Sequence, residues 1–381
     1  MVKKFLFATA LFLFFMPGQA QAIENPLARP NNKIGIHILA ATELEQAAKL
    51  VNSNGGDWGY VTIPIQATDR DTSKWQHFMD QCKRYHIIPL VRLATSSDPA
   101  NKTVWRKTTP DDIVYFANFL NTLAWPTKNR YVIISNEVNR ADEWGGTINP
   151  SEYAEVLNAA VTVFKSKSPD YFIISAGLDN AAPNKGTEFM NQYDFMRAMQ
   201  GAIPGIFNQI DGISSHSYPN PGFSQPPNAT SLTGVGSFRY ERELAKSLSG
   251  KDLPVFITET GWDNHAVSED QIMQYYHETF DTIWNDANIV AVTPFVLGAN
   301  MGPFQKFSFI HPEGVTKQYD ALAQLPKTKG FPLLPIKKVL AAETEKGSAP
   351  TKAQDKEDMP ERKIGFLLTV KNFFAWAKEV W

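Results

Sequence analysis

Between residues 33 and 325, short apolar runs alternate with segments whose apolar positions recur every three or four residues. The runs are Lys33–Leu39, Trp58–Ile65, Ile87–Ala94, Tyr131–Glu137, Tyr171–Gly177, Gly212–Tyr218, Pro254–Glu259 and Val290–Leu297. They are dense in β-branched and aromatic residues and show no polar alternation. Strands buried on both faces read this way, which points to a parallel sheet clothed by helices. Helical spacing fills the gaps over Ala41–Val51, Thr72–Tyr85, Asp111–Leu123, Ser151–Phe164, Glu188–Met199, Ser237–Leu248 and Ser268–Trp284. Asn149-Pro150-Ser151-Glu152 puts proline in a first turn, and Ser268-Glu269-Asp270-Gln271 is a capping box. Eight strands alternating with helices over about 290 residues predict a (β/α)₈ TIM barrel of the α/β class, one domain spanning residues 30–335. An open doubly wound sheet is the alternative, but it has no need of eight units.

Two of the runs end on a glutamate. Tyr131-Val-Ile-Ile-Ser-Asn136-Glu137 is the fourth strand and Pro254-Val-Phe-Ile-Thr-Glu259 the seventh. In a parallel barrel the C-terminal strand ends form the catalytic mouth, and strands four and seven face each other across it. Paired carboxylates at such a mouth are what glycoside hydrolysis requires. Asp179 ends the fifth strand, and Asp142 and Glu143 follow the fourth; these are competing carboxylates without the same flanking pattern. Sugar rings stack on aromatic faces, so Trp105, Trp144, Trp262, Tyr218 and Phe295, at strand ends or in the following loops, are candidate platforms. Trp144 and Trp262 stand out because each follows one of the two glutamates within seven positions.

These motifs resemble those of clan A glycoside hydrolases. Asn136-Glu137-Val138-Asn139 is similar to the clan's Asn-Glu-Pro motif, with valine in place of proline. His216-Ser-Tyr218 on strand six resembles the His-x-Tyr of glycoside hydrolase family 39. Ile257-Thr-Glu259-Thr-Gly261-Trp262 resembles the nucleophile segment of family 17 as well as family 39. The resemblance implies that Glu137 is the acid/base, Glu259 the nucleophile, and the reaction a retaining one. It further implies that Asn136 binds a sugar 2-hydroxyl and that Tyr218 hydrogen-bonds Glu259. His216 and Arg92, at the ends of strands six and three, would hold the carboxylates in their charge states. Many clan members carry tryptophan where strand eight here offers Phe295.

The termini and composition extend this picture. Lys3 and Lys4, the apolar stretch Phe5–Phe15 and Ala20-Gln21-Ala22 read as a secretory signal peptide over residues 1–22. An uncleaved anchor is the alternative, although the stretch is short for a bilayer span. Setting Lys3 and Lys4 aside leaves 35 basic against 39 acidic residues, so no nucleic-acid partner is expected. Cys82 is the only cysteine and lies in a helical pattern, a buried core residue unless it is a catalytic thiol. With no internal disulfide available, stability must come from a large core. Residues 341–363 are polar and charged and read as a disordered linker. Residues 364–381 regain an apolar helical stripe (Phe366, Val370, Phe373, Ala377, Val380), either an interfacial membrane tether or a helix packing on the barrel or a partner.

The expectation is therefore a secreted, cell-surface or periplasmic retaining glycoside hydrolase acting on a β-linked polysaccharide or oligosaccharide. Two carboxylates suffice for that chemistry, so no metal or organic cofactor is expected. A carbohydrate-binding protein that has lost turnover, and a transglycosylase, are the alternatives.

Overall fold

The structure, a computed structural model, describes residues 23–299 and 301–335. The signal peptide, the linker and the C-terminal helix expected from the sequence lie outside the described residues. Among the described residues no helix is long and apolar enough to cross a membrane.

Eight parallel strands alternate with helices, as the pattern predicts. In chain order they are β1 (Gly35–His37), α1 (Leu44–Val51), β2 (Gly59–Gln66), α2 (Thr72–Arg84), β3 (Ile87–Ala94), α3 (Pro110–Asn121), β4 (Arg130–Ile134) and α4 (Pro150–Lys167). There follow β5 (Tyr171–Ile174), α5 (Gln192–Ala202), α6 (Ile206–Gln209), β6 (Ile213–His216), α7 (Ser237–Ser249), β7 (Val255–Glu259), α8 (Glu269–Asp281) and β8 (Ile289–Val292). A two-stranded hairpin, β9 (Ile310–His311) with β10 (Gly314–Val315), leads to the closing helix α9 (Lys317–Gln324), which the sequence pattern did not disclose. Strands β1–β5 and β6–β8 form two continuous ladders. Bridges Ile174–Gly212 and Ile34–Val292 join them at both seams, so the sheet closes on itself as a barrel.

Alternate strand residues face opposite sides, and the two sides differ in chemistry. Residues such as Val61, Val91, Val132, Ile173 and Ile257 pack outward against the helices. Tyr60, Leu90, Tyr131, Ile133, Phe172 and Phe256 fill the lumen. Above that layer come hydroxyls: Thr62 Oγ1 lies 2.8 Å from Thr293 Oγ1, and Ser214 pairs with Thr258. Charged groups sit above these. The barrel axis thus runs from an aromatic floor to an ionic mouth.

The domain begins earlier than the pattern suggests. Ile23 and Leu27 pack against the lumen residues, and Asn129 Nδ2 donates to Glu24 O at 2.8 Å. This N-terminal segment covers apolar surface at the lower end that would otherwise meet water. Cys82 is fully buried on α2, and burial pushes its thiol well above the usual range, so it is a core residue rather than a nucleophile.

Strand β6 is fixed from behind by a buried polar cluster. Ser215 Oγ donates to Glu241 on α7 at 2.9 Å and lies 2.8 Å from Ser217 Oγ, which also accepts from Ser237 Oγ at 3.1 Å. Burial pushes the Glu241 carboxyl from 4.5 up to about 7. A carboxyl whose folded value is raised holds its proton more tightly when folded. Its contribution to stability is full below the unfolded value and is lost as pH rises through the folded one. Between pH 5 and pH 8 this group should cost the protein on the order of 3 kcal/mol. Glu241→Gln, which keeps the neutral shape, should remove most of that decline in urea denaturation at the two pH values. A decline parallel to that of the wild type would show the group does not titrate in this way.

Candidate active site

The strand ends deliver their side chains through specific local devices. Strand β4 stops at Ile134, three residues before the glutamate that the sequence pattern puts at its end. The cause is backbone geometry: Ser135 and Glu137 both adopt positive φ, +72° and +36°, which non-glycine residues hold only when their surroundings fix them. Those surroundings are visible. Tyr153 Oη donates to Ile134 O at 3.0 Å and accepts from Ala176 N at 2.7 Å, locking β4 to β5. The Glu137 amide donates to Gly177 O at 2.9 Å. Asn139 donates to Asp179 O at 3.0 Å and accepts from Asp179 N at 3.0 Å, fastening the two loops together.

Glu137 and Glu259 meet in one cavity of about 280 Å³ at the C-terminal mouth. Glu259 is buried and well supplied with donors. Arg92 Nη1 donates to its Oε1 at 2.8 Å and Tyr218 Oη to its Oε2 at 3.1 Å. Arg92 also bonds Asn136 Oδ1, tying β3, β7 and the loop after β4 together through one guanidinium. His216 Nδ1 lies 2.9 Å from Glu137 Oε1 and 3.9 Å from Glu259 Oε2. The His216 ring occupies the space that a side chain at Gly177 would fill, since a Cβ there would come within 2.2 Å of it.

Electrostatics follows from burial and neighbours. Burial opposes charge on His216, but the charge of Glu259 and the bond to Glu137 outweigh it, and the imidazole is shifted upward. Tyr218 is held well above the usual phenol range, by burial first and by Glu259 and Glu137 next, so it remains a donor. Burial, then Glu137, raises Asp179. Burial, with the charges of Asp142 and Glu137, pushes Glu143 up to about 8.

An oxygen of Glu137, a nitrogen of His216 and an oxygen of Glu259 lie within 4.8 Å of one another, a spacing that could also hold a metal ion. Two guanidiniums argue against a cation there: Arg92 is on Glu259 at 2.8 Å and Arg140 is 3.4 Å from Glu137.

Of the residues singled out from the sequence as catalytic, positioning or stacking candidates, Glu137, Glu259, Asn136, Tyr218, Arg92, Phe295 and Trp105 line the cavity, and His216 lies buried against both glutamates. Trp262 and Trp144 do not line it, which corrects the stacking role expected for them. Trp262 is fully buried among Tyr275, Tyr276 and Trp284, with Nε1 donating to Gln225 O at 2.8 Å. Trp144 packs edge-on against Tyr153 in the core. Closeness in sequence to a glutamate misled, because both indoles are buried in the core instead of facing the cavity. Aromatic faces at the cavity come instead from Trp105, Phe295 and three residues that the sequence did not single out: Phe223 after β6, and Phe304 and Phe307 after β8. Arg140 and Lys306 were missed too. So was His37, a polar residue inside the apolar run of β1, which is fully buried with Nε2 3.7 Å from Glu259. Burial, then Arg92 and His216, lowers its value well below the usual range, so it is neutral.

No protein-family model matches the chain, and no curated protein matches it. Its fold is nevertheless that of solved glycoside hydrolase barrels. A family 39 glycoside hydrolase from Bacteroides cellulosilyticus WH2 superposes with a TM-score of 0.56 at 16% identity, over 78% of this chain and 64% of that one. This chain thus spans less than two thirds of that relative's length. A family 39 β-xylosidase from Caulobacter crescentus matches at TM-score 0.55 and 15% identity, over 78% and 72% of the two chains. A family 128 endo-β-1,3-glucanase from Sorangium cellulosum matches at 0.52 and 13%, over 77% and 98%. The expected barrel is borne out.

Trp262 as a core residue gives a clear expectation. Trp262→Ala should cost about 3–5 kcal/mol in chemical denaturation. An unchanged unfolding midpoint would return Trp262 to the cavity wall.

Proposed function

We propose that this protein is a retaining glycoside hydrolase that cleaves a β-linked polysaccharide or oligosaccharide, with Glu137 as acid/base and Glu259 as nucleophile. The observation that carries the reading is the closeness of the two carboxylates, with an oxygen from each within 4.8 Å in a single cavity. Retaining enzymes place their carboxyl groups about 5–5.5 Å apart, whereas inverting enzymes leave about 6.5–9.5 Å for a water. The glycosidase barrels that share the fold support the reaction class.

In the first step a Glu259 oxygen attacks the anomeric carbon while Glu137 gives its proton to the glycosidic oxygen. The C–O bond to the leaving group breaks and a glycosyl ester forms on Glu259. In the second step the Glu137 carboxylate takes a proton from water, whose oxygen attacks the anomeric carbon and releases Glu259. Arg92 and Tyr218 donate to the two oxygens of Glu259 and hold it aimed. His216 holds one oxygen of Glu137. With its oxygen engaged by Arg92, Asn136 has its Nδ2 to offer a sugar 2-hydroxyl, a contact that strengthens as the anomeric carbon gains positive charge. Phe295 and Trp105 are the candidate ring platforms among the residues named from the sequence.

A screen of β-glucans, mannans, xylans and galactans should find a substrate cleaved with retention by proton NMR of the first-formed anomer. Glu259→Gln should lower kcat at least a thousandfold, and Glu137→Gln should spare substrates with activated leaving groups, rescued further by azide. Cleavage undiminished in Glu259→Gln would remove the nucleophile assignment. Binding without cleavage by the wild type would favour the carbohydrate-binding alternative, and products longer than the substrate a transglycosylase. We also place the enzyme outside the cytoplasm, on the pattern of residues 1–22; N-terminal sequencing of the exported protein should then begin after Ala22.

A further inference from the structure

Arg140 stands three residues after Glu137, in the loop that also carries Asp142 and Glu143. Its Nε and Nη2 contact Asp142 at 3.1 and 2.7 Å, a two-point grip that fixes the guanidinium plane. Its Nη1 is then aimed at Glu137 Oε2, 3.4 Å away, and at Asp179 Oδ2, 3.5 Å away. The Arg140 amide donates to Glu137 O at 2.9 Å, so backbone and side chain hold the same residue. The side chain is only 13% exposed.

The neighbours of Glu137 make the need for this cation plain. His216 from β6 faces Oε1, and Arg92 from β3 reaches Asn136 beside it. Asp142 and Glu143 from its own loop, Asp179 from the loop after β5 and Glu259 from β7 all bring carboxyl groups to the same mouth, with the phenol of Tyr218 beside Glu259. Surrounded by acids, a carboxyl that has just given up a proton tends to take it back from any source. The second displacement step, however, requires Glu137 to stand as a free base until water arrives.

We propose that Arg140 is a positioning residue for Glu137: anchored on Asp142, it grips Oε2 while His216 holds Oε1, fixing the carboxyl and supplying the charge that lets it stand deprotonated beside Asp179 and Glu259. The inference rests on the reading of Glu137 as acid/base. Burial works against charge on Arg140, but the carboxylates of Glu137 and Asp142 outweigh it, and the guanidinium stays charged. Asp142 serves Glu137 through Arg140, as the anchor that keeps the guanidinium from swinging into solvent. Lysine at this position would keep the charge and lose the two-point grip.

The test titrates Glu137 directly in the full chain. Protein labelled with carbon-13 at the glutamate side-chain carboxyl is followed by NMR across pH, and the Glu137 signal is assigned by its absence in Glu137→Gln. Arg140→Gln should move the Glu137 midpoint upward by a pH unit or more, because a carboxylate loses its neighbouring cation while its acidic neighbours remain. Arg140→Lys should move it by less than half as much. On a cleaved aryl glycoside, the alkaline limb of kcat/KM should shift in the same direction, since the general acid stays protonated to higher pH. A midpoint in folded Arg140→Gln within 0.2 of the wild type, an order-of-magnitude margin for such titrations, would leave Arg140 as a loop tie only. Should that variant fail to fold, Arg140→Lys decides: kcat reduced several-fold at unchanged KM supports positioning, and wild-type kcat overturns it. The titration needs no turnover, so a protein that cleaves nothing would refute the hydrolase reading through the substrate screen, separately from the Arg140 result.

Discussion

A carboxylate buried at the top of a barrel is tolerable only if something repays its lost hydration, and for Glu259 that group is Arg92. Both side chains are about nine-tenths buried, at 9% and 10% exposure, and they meet at 2.8 Å. Taking two such charges out of water costs several kcal/mol each, and the attraction between them recovers that cost only with good geometry. The rest of the site inherits this constraint. The same guanidinium fixes Asn136, Tyr218 completes the shell of Glu259, and His37 stays neutral beneath them through burial first and the charges of Arg92 and His216 next. Removing Arg92 would leave a carboxylate stranded rather than merely weaken a contact.

The two walls of the cavity are chemically unlike. The loops after β4 and β5 bring Glu137, Arg140, Glu143 and Asp179, while those after β6 and β8 bring Phe223, Phe304 and Phe307. Phe295 joins the aromatic side, packing at 5.1 Å from Phe304 and 5.0 Å from His37. Lys306 lies over the rings of Phe223 and Phe307 while pairing with Asp263 at 2.9 Å, so even the cation on this side is spent on structure. Charge is thus concentrated where the proposed proton transfer occurs, and apolar surface where a ring face would rest.

Much of the barrel was legible because strands buried on both faces write themselves as unbroken apolar runs, and seven of the nine helices carry a readable periodicity, α6 being only four residues long. The last, α9, is short and follows a hairpin, and its pattern spans only two turns. Glu137 and Glu259 were legible as carboxyls closing apolar runs, and Asn136, Arg92, His216 and Tyr218 as polar residues at strand ends. Trp144 and Trp262 were misread because a tryptophan after a strand can turn either way, and loop direction is decided by tertiary packing. Arg140 was hidden for a related reason. Its importance lies in the three carboxylates it meets, one of them on another loop, and nothing in the local sequence records that meeting.

The seam between the first and last strands carries a consequence in time. Asn31 donates to Val290 O across 259 residues of chain, and Ile34 bridges Val292 beside it. The lumen has no complete wall until β8 exists, so Tyr60, Tyr131 and Phe172 must remain uncovered while most of the polypeptide is still being made. Contacts of such long range delay folding and prolong the interval in which apolar surface is open to wrong partners. An emerging chain of this design depends on its earliest helices, packing locally on β1 to β4, to shelter one side of the sheet until the other arrives.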